Sequence, residues 1–274
     1  MCLAVLALGV HPRLPLVIAA NRDEFHARAA EAARWQPSGV LSGRDLVAGG
    51  TWFGVNASGR WALVTNYREG APRDPNAPSR GELVLRALSD EAPPLVCAAA
   101  LAAEGERYHG FSLLIGVAAT TAYASNRASG AIALGPGIYG LSNHLLEEPW
   151  PKLVLSKNRL AAWAASGSER IEPLFELLGD RRQAEPAALP TTGVSPEWER
   201  LLSSPFIVDP RYGTRCSTVL AIALGGRARF EERSFDALGR ETGCAAFDFE
   251  LRSAGGTASV NAASATAAGG DRAT

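Results

Sequence analysis

The chain opens with two apolar runs of strand length, residues 2–9 and 16–20, with His11-Pro12-Arg13 between them reading as a hairpin loop. A second hairpin follows, in which segments 50–56 and 61–66 flank Ala57-Ser58-Gly59-Arg60. The pattern then changes to helical spacing. Ser79-Arg80-Gly81-Glu82 has the form of a capping box ahead of an apolar stretch, so a helix is expected after Ser79. Residues 93–103 predict a second helix, and residues 149–166 form the longest helical pattern, closed by Gly167. Shorter helices are expected over 171–178 and 196–202, the latter with Ser195 as cap and Pro196 in the first turn. Strand-like runs recur at 111–117, 121–125, 217–224, 229–235 and 246–251. Strands gather at both ends and helices in the middle, which argues for α+β layers rather than strict βαβ alternation.

Composition narrows this further. Beyond Arg252 the chain collapses to Ala, Gly, Ser and Thr, so residues 253–274 are expected to be disordered and residues 1–252 to form one domain. A net charge of −1 gives no electrostatic reason to expect a nucleic acid partner. No apolar run reaches the roughly 18–20 residues that span a bilayer, and no secretory signal opens the chain, so no integral membrane segment is expected. Cys2, Cys97, Cys216 and Cys244 are widely spread, without a C-x-x-C pair. That argues against a disulfide framework or structural zinc and makes the cytoplasm the expected compartment. The histidines show no metal-ligand spacing, and no cofactor motif is present. Nothing in the sequence fixes an oligomeric state.

The candidate chemistry begins at the second residue. If Met1 is trimmed, Cys2 carries both a thiol nucleophile and an α-amine whose reference pKa of about 7.7–8.0 suits it to act as the thiol's general base. Asn21-Arg22-Asp23-Glu24 stands directly after the second apolar run and reads either as a solvated turn or as a supporting cluster. In the second reading Asp23 or Asn21 holds the amine and Arg22 stabilises the thiolate, with Glu24 beside them. Asn66 and Asn143 each follow an apolar strand, as oxyanion-hole donors or as ordinary turn residues. Arg215 is a candidate for binding an anionic substrate group or for supporting Cys2, and Trp52 for core or cleft lining. Cys216 lacks a base of its own and reads as a small strand residue.

Taken in order, Met1-Cys2, Asn21-Arg22-Asp23-Glu24, Gly49-Gly50-Thr51-Trp52-Phe53-Gly54, Thr65-Asn66-Tyr67-Arg68, Leu141-Ser142-Asn143 with Pro149-Trp150-Pro151-Lys152, and Gly213-Thr214-Arg215-Cys216-Ser217-Thr218 resemble the NRDE family, also called the Transport and Golgi organisation protein 2 family. The resemblance covers about residues 1–252. That family in turn looks like the cysteine N-terminal-nucleophile hydrolases, which implies a four-layer αββα sandwich of two mainly antiparallel sheets. It also implies Cys2 as nucleophile, Asp23 at the amine, Asn66 and Asn143 at the oxyanion, and Arg215 as a late supporting arginine. One departure is that Arg22 and Asp23 are adjacent, whereas the acylases separate these two residue types by two positions. Neighbouring strand residues point to opposite faces, so both reach one site only if the strand has ended or bulges.

The function expected from this is amidohydrolase-like cleavage of an amide or thioester of a small acyl compound. The alternative is a non-catalytic carrier for haem or an acyl-CoA-like lipid. Haem enters only as a ligand in that second reading.

Overall fold

The computed structural model describes residues 3–70 and 74–252. Cys2 and the 253–274 tail lie outside the described residues, as does part of the loop after Arg68. Thirteen strands among the described residues form two antiparallel sheets. The first sheet, in spatial order, is β10 (Gly137–Leu141), β1 (Leu3–Leu8), β2 (Leu16–Phe25), β11 (Tyr212–Ile222), β12 (Arg227–Phe235) and β13 (Glu241–Glu250). The second runs in chain order through β3 (Ala30–Trp35), β4 (Val40–Asp45), β5 (Phe53–Asn56), β6 (Arg60–Asn66), β7 (Phe111–Val117), β8 (Thr120–Ser125) and β9 (Ala131–Leu134).

Strand alternation explains the layering. In β1, Ala4, Leu6 and Leu8 enter the core between the sheets, while Leu3, Val5 and Ala7 pack outward with Leu153, Leu160 and Leu174. These leucines belong to α3 (Pro151–Ala165) and α4 (Glu172–Leu178), the outer helical layer of the first sheet. Val40, Ala62 and Val64 pack outward from the second sheet against α1 (Gly81–Ser89) and α2 (Pro94–Ala103), while Leu41, Trp61 and Leu63 face the inter-sheet core. Strands covered on both faces read as unbroken apolar runs, which is why β1 and the start of β2 show no polar alternation. The result is the expected αββα sandwich. Among the described residues no helix is long and apolar enough to cross a membrane.

Four expectations need correction. The second strand does not end at Ala20 but runs on to Phe25, so Asn21-Arg22-Asp23 lie inside a buried ladder and form no solvated turn. β3, β4, β9 and β10 are further strands that the apolar pattern did not mark. The capping box at Ser79 does not form: Arg80 is the N-cap of α1 and its side chain caps nothing, while Ser79 Oγ only accepts from Gly81 N at 3.3 Å. Arg22 and Asp23 are not reconciled by a bulge in their own strand. The bulge is in β11, between Thr214 and Cys216, and leaves Arg215 as the extra residue. At the other expected cap, Ser195 does accept from Trp198 N, opening α5 (Pro196–Leu201).

The sheet registers place several strand ends together. Leu3 pairs with Asn21 and Ala4 with Leu141, so the start of β1, the polar end of β2 and the end of β10 share one edge of the first sheet. β11 enters that edge with Tyr212 opposite Phe25.

Candidate active site

The polar end of β2 divides by strand parity. Asn21 and Asp23 lie on the face of Val17 and Ala19, and Arg22 on the inter-sheet face of Ile18 and Ala20. Asn21 is fully buried. Its Nδ2 donates to Leu178 O and Pro205 O, both at 2.9 Å, and its Oδ1 accepts from Ser217 Oγ at 2.6 Å. Asp23 is buried too, with Oδ1 accepting from Thr214 Oγ1 at 2.7 Å. Glu24 is half-buried and turns back on its own strand end, accepting from Phe25 N at 2.9 Å and lying 3.9 Å from Arg28.

Arg22 is a buried cation between the sheets. Its guanidinium lies 4.4 Å from the centre of the Trp52 ring and 3.8 Å from Asp45 Oδ2, and its Nη1 has no hydrogen-bond partner among the described residues. Burial tends to raise the Asp45 carboxyl pKa, but hydrogen bonds from Arg28 and from the Ala48 and Val47 backbone outweigh it and hold the group below its ordinary value. Trp52 is accordingly the floor of the Arg22 site. The ring fits only because residue 43 is glycine: a Cβ there would meet Trp52 Cζ2 at 2.3 Å. Gly43→Ala is therefore expected to displace the indole and destabilise the protein by about 1–3 kcal/mol, measured as a lowered denaturant midpoint with an unchanged m-value.

Next to Arg22 on the same face lies Cys216, beside the buried Glu232. Glu232 accepts from Ala33 N at 2.8 Å and Thr218 Oγ1 at 3.1 Å, and burial raises its carboxyl pKa despite these bonds. Burial, followed by the charge of Glu232, also pushes the Cys216 thiol well up. A thiol held protonated in a core is a packing residue, as its sequence context suggested.

Asn66 and Asn143 approach from the other sheet and from the β10–α3 connection. Asn143 Nδ2 donates to Asn66 O at 3.1 Å, and Asn143 O accepts from Arg68 N at 2.8 Å. Arg68 Nη2 stands 3.4 Å from Asn143 Oδ1, which turns the amide so that its NH2 faces Asn66. Both asparagines border a cavity of about 300 Å³, with Phe25, Trp198 and Tyr212 on the opposite side. Those three rings meet edge to face at 5.1–6.4 Å, making a wall from three separate elements. Tyr212 also donates its hydroxyl to Asp23 O at 3.2 Å, so the wall is fastened to the polar end of β2.

Two contributors carried no role in the sequence reading. Arg68 is held by Glu199, Nη1 to Oε2 at 2.8 Å, and stacks 4.8 Å from the Trp150 ring centre. Glu199 is buried and accepts from Thr192 N and Oγ1 at 2.8 and 2.6 Å, tying the 180–194 loop to the asparagine pair. The available signal was position: Arg68 follows Asn66 by two residues within the same motif. Arg215 stands elsewhere. Its Nη1 donates to the carbonyls of Phe25, His26 and Arg28 at 3.1–3.2 Å, clamping the turn between β2 and β3. Burial, and then the nearby charge of Arg22, lowers its pKa from the ordinary arginine value. These bonds give Arg215 a part in holding the backbone at the end of β2.

Comparison with known proteins agrees with the order of these segments. The family model described as Transport and Golgi organisation 2 matches residues 1–237. A Transport and Golgi organization protein 2 homolog from Bos taurus is 37% identical over 241 residues, covering 80% of this chain and 86% of the relative. Transport and Golgi organization protein 2 of Drosophila melanogaster is 28% identical over 267 residues, covering 87% and 93%. Among solved structures, a Caenorhabditis elegans N-acylethanolamine-hydrolyzing acid amidase ortholog superposes with a TM-score of 0.50 at 12% identity, covering 80% of this chain and 92% of that one. That likeness concerns the fold. The extent of the family match and the identity to the bovine relative establish that the chain belongs to the Transport and Golgi organisation 2 family.

Proposed function

We propose that this protein is an N-terminal-cysteine amidohydrolase-like enzyme that cleaves an amide or thioester of a small acyl compound. After removal of Met1, the Cys2 thiol gives its proton to its own α-amine and attacks the acyl carbonyl. Asn66 and Asn143 donate to the oxygen as it becomes negative. The ammonium returns the proton to the departing amine or thiol, and a water molecule then releases the acyl group as a carboxylic acid. Asp23 orients the amine.

The observation that carries this reading is convergence at one edge of the sandwich. The asparagine pair borders a single cavity with residues from the ends of β2 and β11. Leu3, to which Cys2 is covalently joined, is paired with Asn21 on the strand that ends there. About 300 Å³ is at the small end for ligand sites, which favours a short acyl compound over a large macrocycle. The aromatic wall offers an acyl chain its apolar surface. An amidase with the same fold makes amide chemistry a natural assignment.

The aromatic wall would equally serve a carrier of an acyl-CoA-like lipid, and one experiment separates the two. Protein from its native host, treated with an acyl-thioester probe, is expected to begin at Cys2 by intact mass and to gain one acyl group there. Turnover is expected to vanish in Cys2→Ala. A retained Met1, or unchanged turnover in that variant, removes the enzyme reading. Stoichiometric ligand binding that survives Cys2→Ser, with no turnover in the unmodified protein, selects the carrier.

A further inference from the structure

The residue that follows each asparagine forms a second pair. Tyr67 Oη lies 2.7 Å from His144 Nε2, and the two ring centres are 4.6 Å apart with the planes tilted by 32°. On its far side His144 Nδ1 lies 2.8 Å from Glu148 Oε2, an ion-pair distance outside the hydrogen-bonding direction. Tyr67 borders the cavity that holds Asn66 and Asn143. His144 and Glu148 border a second cavity of about 330 Å³ on the other side of the pair. The His144 backbone is fixed, since its carbonyl accepts from Ser112 Oγ at 2.9 Å and Leu146 N donates to Tyr123 Oη at 3.1 Å. Burial, followed by the charges of Glu148 and Glu69, raises the Tyr67 pKa above the ordinary phenol value, so the hydroxyl keeps its proton.

Two proton arrangements satisfy this geometry. The Glu148 carboxylate favours a proton on Nδ1 in both. With His144 neutral, Nε2 accepts from the Tyr67 hydroxyl, and the phenol oxygen presents lone pairs to the cavity. With His144 charged, Nε2–H donates to the phenol oxygen, and the hydroxyl hydrogen turns toward the cavity. The imidazole changes charge on taking up one proton, and the second cavity gives His144 its own route to solvent.

We infer that Tyr67 is a ligand-touching hydrogen-bond group whose polarity is set by His144, acting as a donor to a carboxylate or carbonyl oxygen when His144 is charged and as an acceptor when it is neutral. His144 is the positioning residue. The inference rests on the reading of this cavity as the acyl-compound site, but it requires no turnover. The charged and titratable groups around the pair are Glu148 beside His144, the Glu69–Arg127 pair beside Tyr67, Arg80 and His109 on the same cavity, and Arg68 beyond the Trp150 ring that packs 5.9 Å from His144.

Butyrate, a short acyl product whose carboxylate is ionised at both pH values, serves as the probe. Its binding to the full-length Cys2→Ala protein is measured calorimetrically at about pH 6 and pH 8.5, so that failed hydrolysis and a failed switch are read separately. Affinity is expected to fall about tenfold between the two. His144→Gln keeps a donor facing Tyr67 without titrating and is expected to hold the tighter affinity at both pH values. Tyr67→Phe keeps the His144 charge but loses the hydroxyl, and is expected to show less than a twofold change. With tyrosine labelled at 13Cζ, the Tyr67 resonance is expected to titrate with the His144 midpoint. The inference is overturned if Tyr67→Phe keeps the pH dependence, which would make it general electrostatics. It is also overturned by a Tyr67 resonance indifferent to His144, or by no butyrate binding at either pH.

Discussion

Asn143→Ala is expected to lower kcat toward an acyl-thioester substrate by about 100–1000-fold, the usual cost of losing one oxyanion donor. The substitution removes a single donated bond, to Asn66 O, and the weak contact with Arg68. Such a bond contributes only about 0.5–1.5 kcal/mol to stability, so the fold should survive with a modest loss. The backbone bond from Arg68 N to Asn143 O is untouched. Asn143→Asp makes the sharper comparison. It keeps the shape and gives Arg68 a carboxylate partner, but it sets a carboxylate oxygen against Asn66 O in place of the donated bond, so stability should fall. It also exchanges the NH2 donor for an acceptor and sets a negative charge where the oxyanion would form. Its loss in kcat should therefore equal or exceed that of alanine. An aspartate variant that turns over normally would take Asn143 out of the oxyanion role.

The frame of this site was legible in the chain because its strands are covered on both sides. β1 and the first half of β2 carry no polar residue through Ala20, and β6 and β7 have apolar middles at 61–64 and 113–115, so periodicity found them. The edges were harder. β3 carries Glu31, Arg34 and Trp35, with only Ala33 fully buried, and β9 leaves Ile132 half exposed. A strand paired on one side and wet on one face has little apolar signal to display. The polar end of β2 failed for a different reason. Asn21 and Asp23 are satisfied by Leu178, Pro205, Thr214 and Ser217, more than 150 residues away along the chain, and a window of local sequence contains none of them. The three carbonyls that Arg215 clamps left no mark on the sequence around it, since they belong to residues nearly 190 positions earlier. The Tyr67–His144 contact was equally hidden, since nothing local pairs two residues 77 positions apart.

That burial gives the second large effect, which falls on stability and not on rate. Asn21→Ala leaves the carbonyls of Leu178 and Pro205 and the hydroxyl of Ser217 without their partner in a site closed to solvent. Each buried polar group left unmade costs about 1–3 kcal/mol, so a total of about 3 kcal/mol or more is expected even if one group finds another partner. For a chain of this size that is a drop of roughly 6–12 °C in melting temperature. Asn21→Asp should be worse than alanine, because a carboxylate cannot donate and would face two carbonyl oxygens. Leu178 ends α4 and Pro205 follows α5, so the side chain fastens two helical segments to the sheet. The Asn21→Ala protein that remains folded should retain its kcat, since the Asn21 amide is spent on Leu178, Pro205 and Ser217. The opposite outcome, a large fall in kcat with the melting temperature unchanged, would make Asn21 rather than Asp23 the residue that holds the amine.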